Sequence, residues 1–248
     1  MLMMHEISEL MNNFLTVLAG IGLLFIIMLA IALMLKYKKK RKKSILFLGL
    51  SFIFFCVSIL SALPIYLLPE EAFPIEKIFY GVAKIITNIA LFFLLKFIIE
   101  IFYPGKQMQR RFKILRALFF ISCLSLIIIN YPIEIAYYLE TGTKLKPPVI
   151  SVAVDVLMSV PFIVLGILAL QLSSKTKILD EKKALQLIGI SSVCQAGFFV
   201  TWAINEYIAE PNLWTLPQWI LVIAAAIMFF IGVTKPRVIF LRFKDKNA

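Results

Sequence analysis

A helix needs about 20 apolar residues to cross the hydrocarbon core of a bilayer. This sequence holds seven runs of that kind: Phe14–Lys36, Ile45–Leu67, Glu76–Tyr103, Phe112–Tyr131, Val149–Leu172, Ala184–Ile208 and Leu216–Lys235. A membrane barrel would show shorter segments of alternating polarity instead. The third run is long enough to tilt or to protrude. The expected fold is therefore an all-α integral membrane protein, a seven-transmembrane-helix bundle forming one domain over residues 1–248. Residues 236–248 make a basic juxtamembrane tail. Composition agrees, because 61% of the 248 residues are hydrophobic and 16% charged, whereas a soluble domain is about 45–50% apolar. A chain this short cannot hide so much apolar surface from water.

The basic residues predict the orientation. Alternate connections, Lys36–Ser44, Lys106–Arg116, Ser173–Lys183 and the tail from Lys235, carry seven, five, four and five of the 26 lysines and arginines. The N-terminal tail, Pro69–Lys77, Pro132–Pro148 and Ala209–Thr215 carry none, one, two and none. Lys84 and Lys96 lie inside the third run. The bias places the N-terminus outside and the C-terminus in the cytoplasm, as an odd number of spans requires. The expected location is the cell membrane, multi-pass. Met1–Asn13 lacks basic residues, and the run after it is too long for a signal peptide.

The net charge of +12 would suggest nucleic acid in a soluble protein. Here the charges line the cytoplasmic edge, where their partner is anionic inner-leaflet lipid, and no nucleic acid is expected. The tail from Lys235 to Phe243 mixes bases with aromatics and suits the inner membrane surface. Trp202, Trp214 and Trp219 lie near outer span ends, as an interfacial belt predicts.

Few motifs carry chemistry. Cys56, Cys123 and Cys194 sit in three separate apolar runs and read as small buried hydrophobes without a disulfide framework. The one histidine, His5, lies in the N-terminal tail, which opposes a histidine metal centre or a Ser-His-Asp triad. There is no Walker, GxGxxG, HExxH or CxxC sequence, and no connection is long enough for a soluble domain. An enzyme and a bound cofactor are accordingly not expected.

Charged groups in hydrocarbon cost energy, which makes each one a functional candidate. Lys77, Lys84, Asn88, Lys96 and Glu100 recur at steps of 7, 4, 8 and 4, on one helical face. Lys96 is expected to snorkel and pair with Glu100. Lys84 lies about 12 Å below the outer end of its span, and Asp155 about 9 Å below its own. Opposite charges at similar depth can pair across a bundle, whether to fix packing or to hold a ligand. Gln195, Trp202 and Glu206 share a face of the sixth span, and Ser151, Asp155 and Ser159 a face of the fifth. Ser58 and Ser61 lie in the outer half of the second. Together these residues suggest an outward-facing polar pocket. Each serine alone can instead be satisfied by a carbonyl of the preceding turn. Pro161 predicts a kink in the fifth span. Gly20 and Gly22, Ser192 and Ala196, and Ala224–Ala226 permit close helix approach.

The topology resembles that of rhodopsins, G-protein-coupled receptors and the seven-span input modules of microbial sensors. The resemblance covers the whole chain and implies a receptor-like or sensory module signalling to a separate cytoplasmic protein. The sequence departs from each family's marks. No lysine lies between Leu216 and Thr234 to hold retinal, and no Asp-Arg-Tyr follows the third span. Sugar transporters of the three-one-three type share the count, but here the Pro217-Gln218 pair opens the seventh span. The expected function is a receptor-like or sensory seven-helix module binding a small molecule. The alternative is a small-solute or proton-coupled transporter or channel using Lys84 and Asp155. Candidate ligand-binding or ion-pair residues are Lys84, Asn88, Asp155, Ser159, Gln195, Trp202 and Glu206.

Overall fold

The computed structural model describes residues 2–64, 72–103, 105–142, 149–208 and 215–234, without the side chains of residues 2–16, 19, 106, 205–208, 215, 216 and 234. Seven helices follow one another: α1 Leu2–Lys40, α2 Lys43–Ala62, α3 Phe73–Phe102, α4 Lys106–Thr141, α5 Val149–Lys175, α6 Leu179–Ile208 and α7 Thr215–Thr234. No strand occurs among the described residues. Six helices are long and apolar enough to cross a membrane, and the described apolar stretch of α7, Pro217–Val233, is shorter. The chain is a multi-pass membrane protein.

Local chemistry explains the breaks. Between α1 and α2 the chain turns at Arg41, whose φ of 53° is left-handed. Its N–H donates to the Tyr37 carbonyl at 2.7 Å, and Lys42 is extended. Pro74 lies in the first turn of α3, where its missing N–H costs nothing. Asp180 and Glu181 occupy the first turn of α6 and complement its dipole. That helix begins at Leu179, ahead of the apolar run at Ala184.

The fourth helix differs most from expectation. The sequence ends that span at Tyr131 and treats Pro132–Pro148 as an outer connection, yet α4 continues through Pro132 to Thr141. A proline removes one backbone hydrogen bond without forbidding the next turn. The stop is Gly142, left-handed at φ 67°, whose N–H donates to the Tyr138 carbonyl at 2.8 Å. Residues 143–148 of that connection, Trp214 and the basic tail from Lys235 lie outside the described residues. At the start of the chain, α1 is helical from Leu2, so it includes much of the expected N-terminal tail.

Each helix packs on its neighbours in sequence, and α1 packs on α7. The bundle is therefore a ring closed in chain order. One further contact, α3 with α5, shortcuts the ring and leaves α4 against its outside. Leu29, Leu33, Ile45, Leu48, Leu91, Leu94 and Met158 are fully buried or nearly so. The outward faces are equally apolar: Leu24, Ile31, Leu35, Ile78, Leu118, Ile167 and Ile220 are all exposed. Such a surface suits lipid rather than water.

Small residues allow a close crossing of α5 and α6. A Cβ on Gly189 of α6 would lie 2.6 Å from Leu170 Cγ and 3.3 Å from the Gly166 carbonyl oxygen of α5, so the two backbones approach closely there. Gly22 meets Ile223, Val222 and Trp219 of α7, while nothing lies within 4 Å of a Cβ on Gly20. Close approach thus falls on Gly22 and not on Gly20. At the basic end of the ring, Lys36 of α1 donates to the Val233 carbonyl of α7 at 2.8 Å. An ammonium there satisfies a C-terminal carbonyl and opposes the negative end of the helix dipole.

Candidate functional site

Buried positions on α3 include Ala83, Lys84, Thr87, Asn88, Leu91 and Leu94, spaced for one inward face. Lys84 is carried on that face into the seam with α5. Val154, Asp155, Met158 and Phe162 form the facing stripe of α5. Lys84 Nζ donates to Asp155 Oδ2 at 2.9 Å, with the two side chains 9% and 2% exposed. The ion pair that similar depths allow is present, and it sits on the contact between α3 and α5.

The pair forms part of the wall of a central, partly open cavity. Among the described residues, six helices line it and α4 contributes none. Most of the wall is aromatic or aliphatic, with Phe52, Phe55, Tyr80, Phe199, Trp202 and Trp219 among the rings. The Tyr80 and Trp202 rings meet edge to face at 5.9 Å, as do Phe198 and Trp202 at 5.5 Å. Ring pairs of this kind hold one another in place. Ser58 donates to the Ala83 carbonyl at 2.8 Å, and its oxygen lies 2.7 Å from the Thr87 hydroxyl. One hydroxyl has one proton, so Thr87 donates to Ser58 and the α2–α3 wall is internally satisfied.

Of the seven sequence candidates, the structure brings Lys84, Asp155, Gln195 and Trp202 to this cavity. Two go elsewhere. Asn88 donates to the Phe120 carbonyl of α4 at 3.0 Å and serves the α3–α4 contact. Ser159 donates to its own helix at the Val156 carbonyl, 2.6 Å away. The side chain of Glu206 lies outside the described residues. Among the secondary suggestions, Ser58 lines the cavity, whereas Ser61 is tied to the Val57 carbonyl on an exposed face. Lys96 Nζ lies 3.9 Å from the centre of the Phe47 ring, so a cation–π contact stands where a pair with Glu100 was expected.

A second ion pair was missed. Lys77 of α3 reaches Glu134 Oε2 of α4 at 2.6 Å, with the side chains 21% and 2% exposed. Asn130 donates to the other carboxylate oxygen of Glu134 at 2.6 Å. Between the two pairs lies Gly81, where an added Cβ would stand 3.3 Å from the Tyr131 ring. The Lys84 ammonium is 5.9 Å from the centre of that ring. A signal existed in the sequence: Cys123, Ile127, Asn130, Tyr131 and Glu134, all buried, keep a helical spacing straight through Pro132.

No family model, curated protein or solved structure matches this chain.

Proposed function

We propose that the chain is a receptor-like or sensory seven-helix module that binds a small molecule in its central cavity. It is read as a binding protein, not an enzyme, in the cell membrane, with a separate cytoplasmic protein as the signalling partner. One observation carries the reading. A central cavity is walled by six helices of a closed ring, and a buried ion pair stands on its wall. The helices around it run unbroken, which fits a continuous sensory bundle better than the broken helices of many transporters. The transport alternative draws on the same pair, since buried charges beside a cavity also mark ion and proton paths.

The test is a thermal-unfolding screen of the purified protein against small metabolites, amphiphiles and retinoids. A cavity ligand at 100 times its Kd is expected to stabilise the fold by about 2.7 kcal/mol. It should also change tryptophan fluorescence less in Trp202→Phe than in the wild type, since Trp202 lines the cavity. Ligands that stabilise both proteins without this difference would place binding elsewhere and end the proposal.

The reading includes seven crossings, with the N-terminus outside and the basic end toward anionic inner-leaflet lipid. Single cysteines at Asn13 and Lys235, in a chain whose own three cysteines are replaced, check this. Membrane-impermeant thiol reagents should label the first from outside and the second only from within. Labelling of both from one face would mean an even number of crossings.

A further inference from the structure

The chemistry of the cavity restricts what it can hold, and this inference rests on the ligand-binding reading above. The lining runs from Phe52 to Ala62 on α2, from Ser191 to Trp202 on α6 and from Trp219 to Phe229 on α7. At the rise of a helix each stretch covers about 15–17 Å. The cavity is therefore a slot along the bundle axis, with aromatic rings from α2, α3, α5, α6 and α7 in its wall.

Among its described lining residues only Lys84 and Asp155 carry charge, and they neutralise each other at 2.9 Å. A ligand carboxylate at Lys84 would displace buried Asp155 or share one cation with it as a second anion. A ligand ammonium at Asp155 would likewise displace buried Lys84 or add a second cation to one anion. Either way the site carries a net buried charge, and the ligand has also given up its own hydration. An uncharged molecule meets neither cost. Its one polar group can bond to the Gln195 amide, which lines the slot and offers both donors and an acceptor.

We propose that the cavity selects an uncharged, elongated, ring-bearing molecule with at most a hydroxyl, carbonyl or amide. The Lys84–Asp155 pair is the feature that turns away carboxylates and amines of the same shape.

The experiment uses three matched probes, 4-biphenylmethanol, 4-biphenylcarboxylate and 4-biphenylmethylamine. Binding is read by thermal unfolding of the whole protein in nanodiscs of zwitterionic lipid. Free concentrations are corrected for uptake by protein-free discs. The wild type should bind the alcohol at least about tenfold more tightly than either ion. Asp155→Asn leaves the slot with a net positive charge and should make the carboxylate the tightest binder. Lys84→Gln leaves a net negative charge and should favour the amine. If either ion binds the wild type as tightly as the alcohol, or if folded variants keep the wild-type ranking, this inference is overturned while the ligand-binding reading stands. If none of the three probes binds the wild type, both fall. Should neither variant fold, the wild-type ranking decides alone.

Discussion

Replacing Lys84 by Met, or Asp155 by Leu, is expected to lower the stability of the bundle by about 3–5 kcal/mol, and making both changes should return most of it. Each single change strands a charge that the structure buries, since the two side chains are 9% and 2% exposed. The double change leaves two apolar side chains of similar volume in the α3–α5 seam. Thermal unfolding of the three variants in one lipid environment measures the coupling between the sites. Additive losses in the double variant would show that the two groups do not depend on each other. The same variants separate structure from function. Recovery of stability without recovery of ligand response would give the pair a role beyond packing. Wild-type response in all three would leave it a packing element only.

A different pattern is expected at the second pair. Lys77→Met leaves the Glu134 carboxylate, 2% exposed, without its cation, and should cost about 3 kcal/mol. Glu134→Gln should cost less, about 1 kcal/mol, because Lys77 is 21% exposed and its long stem can carry the ammonium outward to water. The asymmetry is the point of the measurement. Equal losses would mean that Lys77 is as confined as its partner. Cysteine accessibility along α4, compared with α6, would show whether the loss is confined to the α3–α4 contact.

Much of this was legible in the residues. Seven helices follow from seven apolar runs, and the Lys84–Asp155 pair follows from two depths counted at a fixed rise per residue. Depth, however, is not direction. Asn88 lies one turn from Lys84 but about 40° around the helix, enough to turn it from α5 to the Phe120 carbonyl of α4. Ser159 bears the same relation to Asp155, and a carbonyl three residues back satisfies its hydroxyl. Which way a polar side chain turns depends on the neighbouring helix, and one sequence does not name that neighbour. Glu134 was hidden for another reason. Pro132 marks a stop in most helices, and the residues beyond it were counted as a connection. Only the burial of Asn130, Tyr131 and Glu134 against α3 shows why one more stretch of helix is worth a missing hydrogen bond. The aromatic wall was out of reach altogether, because ring-to-ring contacts such as Phe52 with Phe229 join helices far apart in the chain.

The position of α4 has a consequence for how the molecule loosens. That helix touches α3 and α5 but lines no part of the cavity, and its apolar stretch is mostly exposed. The other six helices line the cavity without it, and α3 meets α5 directly where Lys84 pairs with Asp155. Opening free energies differ between parts of a protein according to how much each part buries. Loosening is therefore expected first at α4, ahead of the six-helix ring, and faster amide exchange along α4 than along α6 would show it.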